Sequence, residues 1–309
     1  MTAGSLAGAG GLRLPEPWPR NPWPTRFRTV RASEPGRCIP HGLRILTVAS
    51  PALGGRGDLA VHVSPGVERA TDVPLVVLLH GVYGSFWNWA LLGDAPATLD
   101  RLVREDRVRP MVLAMPSDGL AGEGTAYLRH AHADHESWVL DDVVDAVKEM
   151  EPAVSSASPL FLGGNSMGGF GAARLALSRR RPVAGIAMHS AITHLDQLAE
   201  FTVDDVGEVA GLPAAERDVV TGLVRDPGSL PPLWIDCGRS DPLLPANRDL
   251  HERLVGAGVG HHYDEFDGEH DWTAWSVRVE HGLSFFDDVL TTREAGGGEG
   301  RRSVPGGPR

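Results

Sequence analysis

The sequence predicts a doubly wound α/β protein, a mostly parallel sheet with helices on both faces. Two observations predict it. First, Pro74–Leu79, Met111–Met115, Leu160–Leu162, Ala184–Met188 and Pro232–Cys237 are short, continuously apolar runs. A strand buried on both faces reads this way, whereas a half-exposed strand alternates. Second, helix-like stretches separate these runs. In Ser137–Met150, for example, Val139, Leu140, Val143, Val144 and Val147 recur at spacings of three and four. Strand–helix alternation around buried strands means parallel pairing with crossover helices.

In chain order, residues 1–40 form a Pro/Trp-rich arm. Pro15, Pro17, Pro19, Pro22 and Pro24 exclude helix and central strand, while Trp18, Trp23 and Phe27 offer docking surface. A domain is expected over 41–292. It opens with a hairpin, Arg44–Val48 and Asp58–Val63 around the Pro51/Gly54/Gly55/Gly57 turn region. Beyond the buried strands, helices are expected at Trp89–Val103, Ser137–Met150, Gly169–Leu177, Arg248–Leu254 and Trp272–Leu290, with one further strand at His262–Phe266. A polar, helix-prone insertion near 192–230 is positioned to form a wall or lid over the carboxyl edge of the sheet. The Gly/Arg-rich tail, 293–309, is expected to be disordered.

The composition excludes several classes of partner. The 309 residues carry a formal charge of −11, which repels a nucleic-acid backbone. No apolar run approaches the roughly 18 residues of a membrane span. Met1–Gly11 lacks the basic start and apolar core of a secretory signal. The two cysteines, Cys38 and Cys237, make neither a metal motif nor a disulfide framework. A cytoplasmic location is therefore expected. No glycine fingerprint for a dinucleotide or phosphate is present, Gly119–Gly124 being too loose, so no cofactor is expected.

The chemistry centres on Gly164-Asn165-Ser166-Met167-Gly168-Gly169, which an apolar strand enters and a helix leaves. This is the G-x-S-x-G pattern in its required context. A side chain at the tip of so sharp a turn leaves no room for a Cβ two residues to either side. The turn raises the Ser166 hydroxyl above the sheet and aims the Met167 N–H at the same point.

A serine needs a base, and the base an orienting acid, in the chain order Ser, acid, His at strand ends. Asp241 follows the Pro232–Cys237 strand, and His270 follows His262–Phe266. Asp236 is a rival acid that lies too deep within its strand, while His261, His262 and His281 compete with His270. The second oxyanion donor is expected from His80-Gly81-Val82-Tyr83-Gly84-Ser85, at the N–H of Val82 or, failing that, Tyr83. Tyr83 is a candidate for substrate contact, as are Phe86, Trp87 and Trp89, all three of which plain helix packing would equally explain.

Together, His80-Gly81 with Gly84-Ser85, the Gly164–Gly169 elbow, Cys237-Gly238-Arg239-Ser240-Asp241, and His270-Asp271-Trp272 with Trp275 resemble the esterase D-like family of the α/β-hydrolases. That family includes tributyrin-type esterases, S-formylglutathione hydrolases and mycolyltransferases. The resemblance spans about 43–290 and implies an α/β-hydrolase fold and a serine carboxylic-ester hydrolase acting on a small-molecule ester. By it, Ser166 is nucleophile, Asp241 acid and His270 base, Val82 and Met167 are oxyanion donors, and Trp272 lines the site beside the histidine. Glu269 departs from the family pattern, where a small residue often precedes the histidine.

One motif competes. His130-Ala131-His132-Ala133-Asp134-His135 has the H-x-H-x-D-H spacing of dinuclear zinc hydrolases, with His189 as a distant further ligand. The glycines that should follow it are absent, and Glu136-Ser137-Trp138 begins a helix. A histidine-rich loop over the active site is the expected reading, so no metal is expected. A zinc-dependent hydrolase and a non-catalytic ligand-binding relative are the two alternative functions.

Overall fold

In the computed structural model, residues 42–119, 123–202, 212 and 214–299 are described. The arm at 1–40 and the tail beyond Glu299 lie outside them. Strands β1 (Leu43–Ser50) and β2 (Gly55–Val63) form the expected antiparallel hairpin at one sheet edge. β2 pairs antiparallel with β4 (Val112–Pro116). The remaining strands, β3 (Leu75–Leu79), β5 (Leu160–Asn165), β6 (Gly185–His189), β7 (Leu233–Gly238) and β8 (His262–Phe266), are parallel. The eight-stranded order is β1-β2-β4-β3-β5-β6-β7-β8.

The continuous apolar runs are explained by two hydrophobic layers. In β3, Leu75, Val77 and Leu79 face one core, while Val76 and Leu78 face the other. The first layer packs against α3 (Val144–Met150), α4 (Met167–Leu177), α6 (Val219–Arg225) and α7 (Leu244–Gly256). The second packs against α1 (Ala95–Arg104) and α8 (Trp272–Glu299), where Phe161 stacks on Phe286 with ring centroids 4.6 Å apart. The chain winds from β3 out to β4, then crosses back to β5 on β3's other side. The crevice above β3 and β5 is thus the topological switch point, where open α/β sheets place their sites.

Three expected helices are revised. The one expected at Trp89–Val103 is a π-helical turn at Asn88–Leu92 followed by α1. Asp94 breaks the run with φ 48°, and Pro96 restarts a helix by occupying its first turn. The second begins earlier, as α2 (His135–Ser137), passes through a π-helical stretch (Trp138–Val143) and continues as α3. The last runs past Leu290 to Glu299, so residues 293–299 of the expected disordered tail are helical. Arg109 on the α1–β4 connection explains this, pairing with Asp287 at 2.7 Å and Glu294 at 2.6 Å and holding the final turns.

The 192–230 insertion supplies a 3-10 helix (Leu195–Glu200), α5 (Ala214–Arg217), α6 and a 3-10 turn (Pro227–Ser229). Its first helix is fixed by a capping box, the His194 ring accepting from Asp196 N–H while the Gln197 side chain accepts from His194 N–H. Among the described residues, no helix is long and apolar enough to cross a membrane.

Candidate active site

Ser166 sits between β5 and α4 with φ 54° and ψ −120°, a conformation L-residues rarely adopt. The surrounding glycines make it attainable. A Cβ on Gly164 would lie 2.5 Å from the Gly168 backbone, and one on Gly168 would lie 2.1 Å from the Leu79 carbonyl. The elbow is thus pressed onto the end of β3, and a methyl group at either position has nowhere to go. Ser166 N–H donates to the His189 carbonyl at 2.9 Å, tying the turn to β6.

The Ser166 hydroxyl lies 3.0 Å from His270 Nε2, and His270 Nδ1 lies 2.8 Å from Asp241 Oδ2. Asp241 is buried, and its other oxygen accepts from Leu243 N–H at 2.8 Å. Two loops from separate strand ends must meet for this, and backbone contacts bring them together. Arg239 N–H donates to the Phe266 carbonyl at 2.7 Å and Ser240 N–H to the Gly268 carbonyl at 3.0 Å. A Cβ on Gly238 would come within 2.4 Å of that Gly268 carbonyl, so the close approach requires glycine. Glu269, the departure from the family pattern, is exposed.

The rival residues have other partners. Asp236 is fully buried and accepts from His189 Nδ1 at 3.0 Å, Trp234 Nε1 at 2.8 Å and Arg278 Nε at 3.1 Å. Burial opposes its charge, yet these neighbours hold its carboxyl below the usual carboxylate range. His261 pairs with His251 at 2.8 Å, while His262 and His281 stack on Trp234. Cys237 is a free buried thiol whose pKa is pushed up by desolvation.

After β3, the His80–Ser85 loop folds over the elbow. A Cβ on Gly84 would be 2.6 Å from His80 Nδ1 and is sterically excluded, while one on Gly81 would crowd Ser166 Cβ at 3.1 Å. His80 is buried, and burial lowers its pKa, keeping the ring neutral. Its Nδ1 faces the Gly81 carbonyl at 2.8 Å, and its Nε2 accepts from Asp118 N–H at 3.1 Å. That pattern fixes the tautomer and the loop. Tyr83 N–H donates to the Glu123 carbonyl at 3.1 Å, which removes it as an oxyanion donor. The amides of Val82 and Met167 have no acceptor among the described residues. Their side chains meet over Gly124, whose added Cβ would lie 2.7 Å from Met167 Sδ and 3.0 Å from Val82 Cγ1.

Tyr83 and Trp87 project from this loop with 63% and 38% of their surface exposed, while Trp89 is buried and anchored by its Nε1 to the Leu79 carbonyl at 2.8 Å. Trp272 packs edge-on against Trp89 at 5.2 Å and Trp275 at 5.1 Å. Trp275, rather than Trp272, is the ring directly against His270, at 4.9 Å and 87°. On the imidazole's face lies Phe201, at 5.2 Å and 24°. Sequence reading missed Phe201 as a site residue, since a lone aromatic ending a short helix in a polar insertion carries no motif.

In the H-x-H-x-D-H segment, several side chains already have partners among the described residues. Asp134 caps α2, accepting from Ser137 N–H at 2.9 Å and Ser137 Oγ at 2.7 Å, and pairs with Arg129 at 2.8 Å. His130 Nε2 sits 2.9 Å from the Thr125 carbonyl. His135 is buried with neither ring nitrogen hydrogen-bonded among the described residues, and desolvation, with lesser effects from His130 and His132, depresses its pKa to about 4. His189, the distant further ligand, is turned to Asp236.

Comparison with known proteins agrees with this architecture. Residues 50–286 match the family described as "Putative esterase". An acetyl esterase of Caldicellulosiruptor saccharolyticus is 27% identical over 236 residues, covering 71% of this chain and 85% of that one. Among solved structures, a ferulic acid esterase superposes with a TM-score of 0.67 at 22% identity, over 80% of this chain and 97% of its own. An S-formylglutathione hydrolase from Staphylococcus aureus gives 0.65 at 20% identity, over 79% and 98%. At such identities the two structures speak for the fold, whereas the family match spans most of the chain. The chain belongs to the "Putative esterase" family and is a serine esterase of the α/β-hydrolase fold.

Proposed function

We propose that the protein hydrolyses carboxylic esters with small or medium acyl groups through a Ser166–His270–Asp241 triad and an acyl-enzyme. The contiguous Ser166 Oγ–His270 Nε2–Asp241 hydrogen-bond chain, at 3.0 and 2.8 Å, carries the reading. Ser166 Oγ attacks the acyl carbon as His270 Nε2 takes its proton, and Asp241 holds the imidazole and stabilises its charge. The tetrahedral oxyanion accepts from the Val82 and Met167 amides, donors of a kind typically worth about 3 kcal/mol each. His270 then returns the proton to the departing alcohol. Water, deprotonated by the same nitrogen, releases the acid. Tyr83, Trp87 and Trp272 contribute apolar surface for the substrate. With two cysteines and no disulfide framework in the sequence, the reading places the enzyme in a reducing, cytoplasmic compartment.

The zinc alternative is disfavoured by Asp134, whose carboxylate caps a helix and pairs with Arg129. The non-catalytic alternative is disfavoured by the strained Ser166 backbone, a conformation that binding alone does not require. Intact-mass spectrometry after exposure to a fluorophosphonate tests the reading, with wild type and Ser166→Ala side by side. One adduct on wild type and none on the variant is expected. No adduct on wild type, with p-nitrophenyl acetate left intact, would overturn it.

A further inference from the structure

We infer that Phe201 is a positioning residue for His270, holding the imidazole plane against rotation and keeping water from its face. The inference rests on the triad reading above. An imidazole bonded at both nitrogens still rocks about the axis through them, and its face is open to water unless another group covers it. Phe201 lies on that face nearly parallel, at 5.2 Å between centroids and 24° between planes. Trp275 meets the same ring edge-on at 4.9 Å and 87°. Together, one stacked and one perpendicular aromatic fix the ring in two directions. An aromatic face also attracts the imidazolium that forms when His270 takes the serine proton.

Phe201 is presented by a fixed element. Its N–H donates to the Leu198 carbonyl at 2.9 Å, closing the 3-10 helix Leu195–Glu200, whose Leu195 and Leu198 are buried. That helix is clasped at its start by the capping box, and Asp196 pairs with Arg217 of α5 at 2.6 Å. The insertion therefore contributes to the reaction through the histidine.

The test compares wild type with Phe201→Ala, Phe201→Leu, Phe201→Tyr and Phe201→Trp, each checked for an unchanged thermal midpoint. Two quantities are read, kcat and KM for p-nitrophenyl acetate and the second-order rate of fluorophosphonate labelling, which reports Ser166 activation. Phe201→Ala is expected to lower kcat and labelling about tenfold or more, because small misplacements of a catalytic group are costly. KM should stay within about threefold. Phe201→Tyr and Phe201→Trp should restore both rates, while Phe201→Leu, which fills space without a planar face, should not. Labelling of Phe201→Ala at the wild-type rate, or full rescue by Leu, would overturn the inference. Turnover surviving in Ser166→Ala would instead sink the triad reading, so the two failures are distinguishable.

Discussion

His135 makes a quantitative prediction about acid stability. Its imidazole is buried, neither nitrogen has a hydrogen-bond partner among the described residues, and burial depresses its pKa from 6.5 to about 4. In the unfolded chain the same group protonates near 6.5, so between those values the unfolded state binds more protons than the folded one. Stability is therefore undiminished above pH 6.5 and falls as the pH drops towards 4. The shift corresponds to about 3 kcal/mol, most of it lost by pH 4. His135→Leu removes the titrating group and two orphaned nitrogens together. Urea unfolding of both proteins at pH 7 and pH 4 should show wild type losing about 3 kcal/mol more than the variant. His80, also buried with a lowered pKa, pushes in the same direction in both proteins and cancels in the comparison. Parallel losses in wild type and variant would refute the argument, because they would mean that the folded site accommodates the imidazolium.

Three further predictions concern the site. Asp241→Asn removes the carboxylate that receives His270 Nδ1, and kcat for p-nitrophenyl acetate should fall by about 10⁴ while KM changes little. Gly168→Ala forces a methyl group to within 2.1 Å of the Leu79 carbonyl; circular dichroism melts should show a loss of about 1–3 kcal/mol, and fluorophosphonate labelling should nearly cease as the elbow shifts. Asp134→Ala should cost about 1 kcal/mol in urea unfolding as α2 loses its cap, with ester turnover unchanged, and EDTA should leave wild-type turnover unaffected. Chelator-sensitive turnover would reopen the zinc reading.

Much of the architecture was legible in the sequence, for a physical reason. A strand buried on both faces is apolar at nearly every position, so β3 to β7 announce themselves despite the buried His189 and Asp236 near their carboxyl ends. A sharp elbow must carry glycines, so Ser166 does too. Asp241 and His270 were readable by their place after strand ends, because strand order fixes which loops share the carboxyl edge. Helix breaks were not readable. The interruption at Gly93-Asp94 depends on Trp89 and Trp272 closing over Gly93, where an added Cβ would lie 2.7 and 3.0 Å from them. Those two tryptophans are far apart in the chain.

The sequence alone determined the fold class, the sharp strand-to-helix turn that carries Ser166 and the chain order of its candidate partners, because these follow from local sterics and periodicity. Only the tertiary structure decided between rivals. Val82 stands ahead of Tyr83 because the Tyr83 amide already donates to the Glu123 carbonyl. Asp236 yields to Asp241 because His189 and Arg278 hold it inside the sheet. In the H-x-H-x-D-H segment, Asp134 is committed to capping a helix and to pairing with Arg129. Phe201 and Trp275 reach His270 from separate elements. Each of these turns on a contact between residues distant in sequence, which no local pattern encodes.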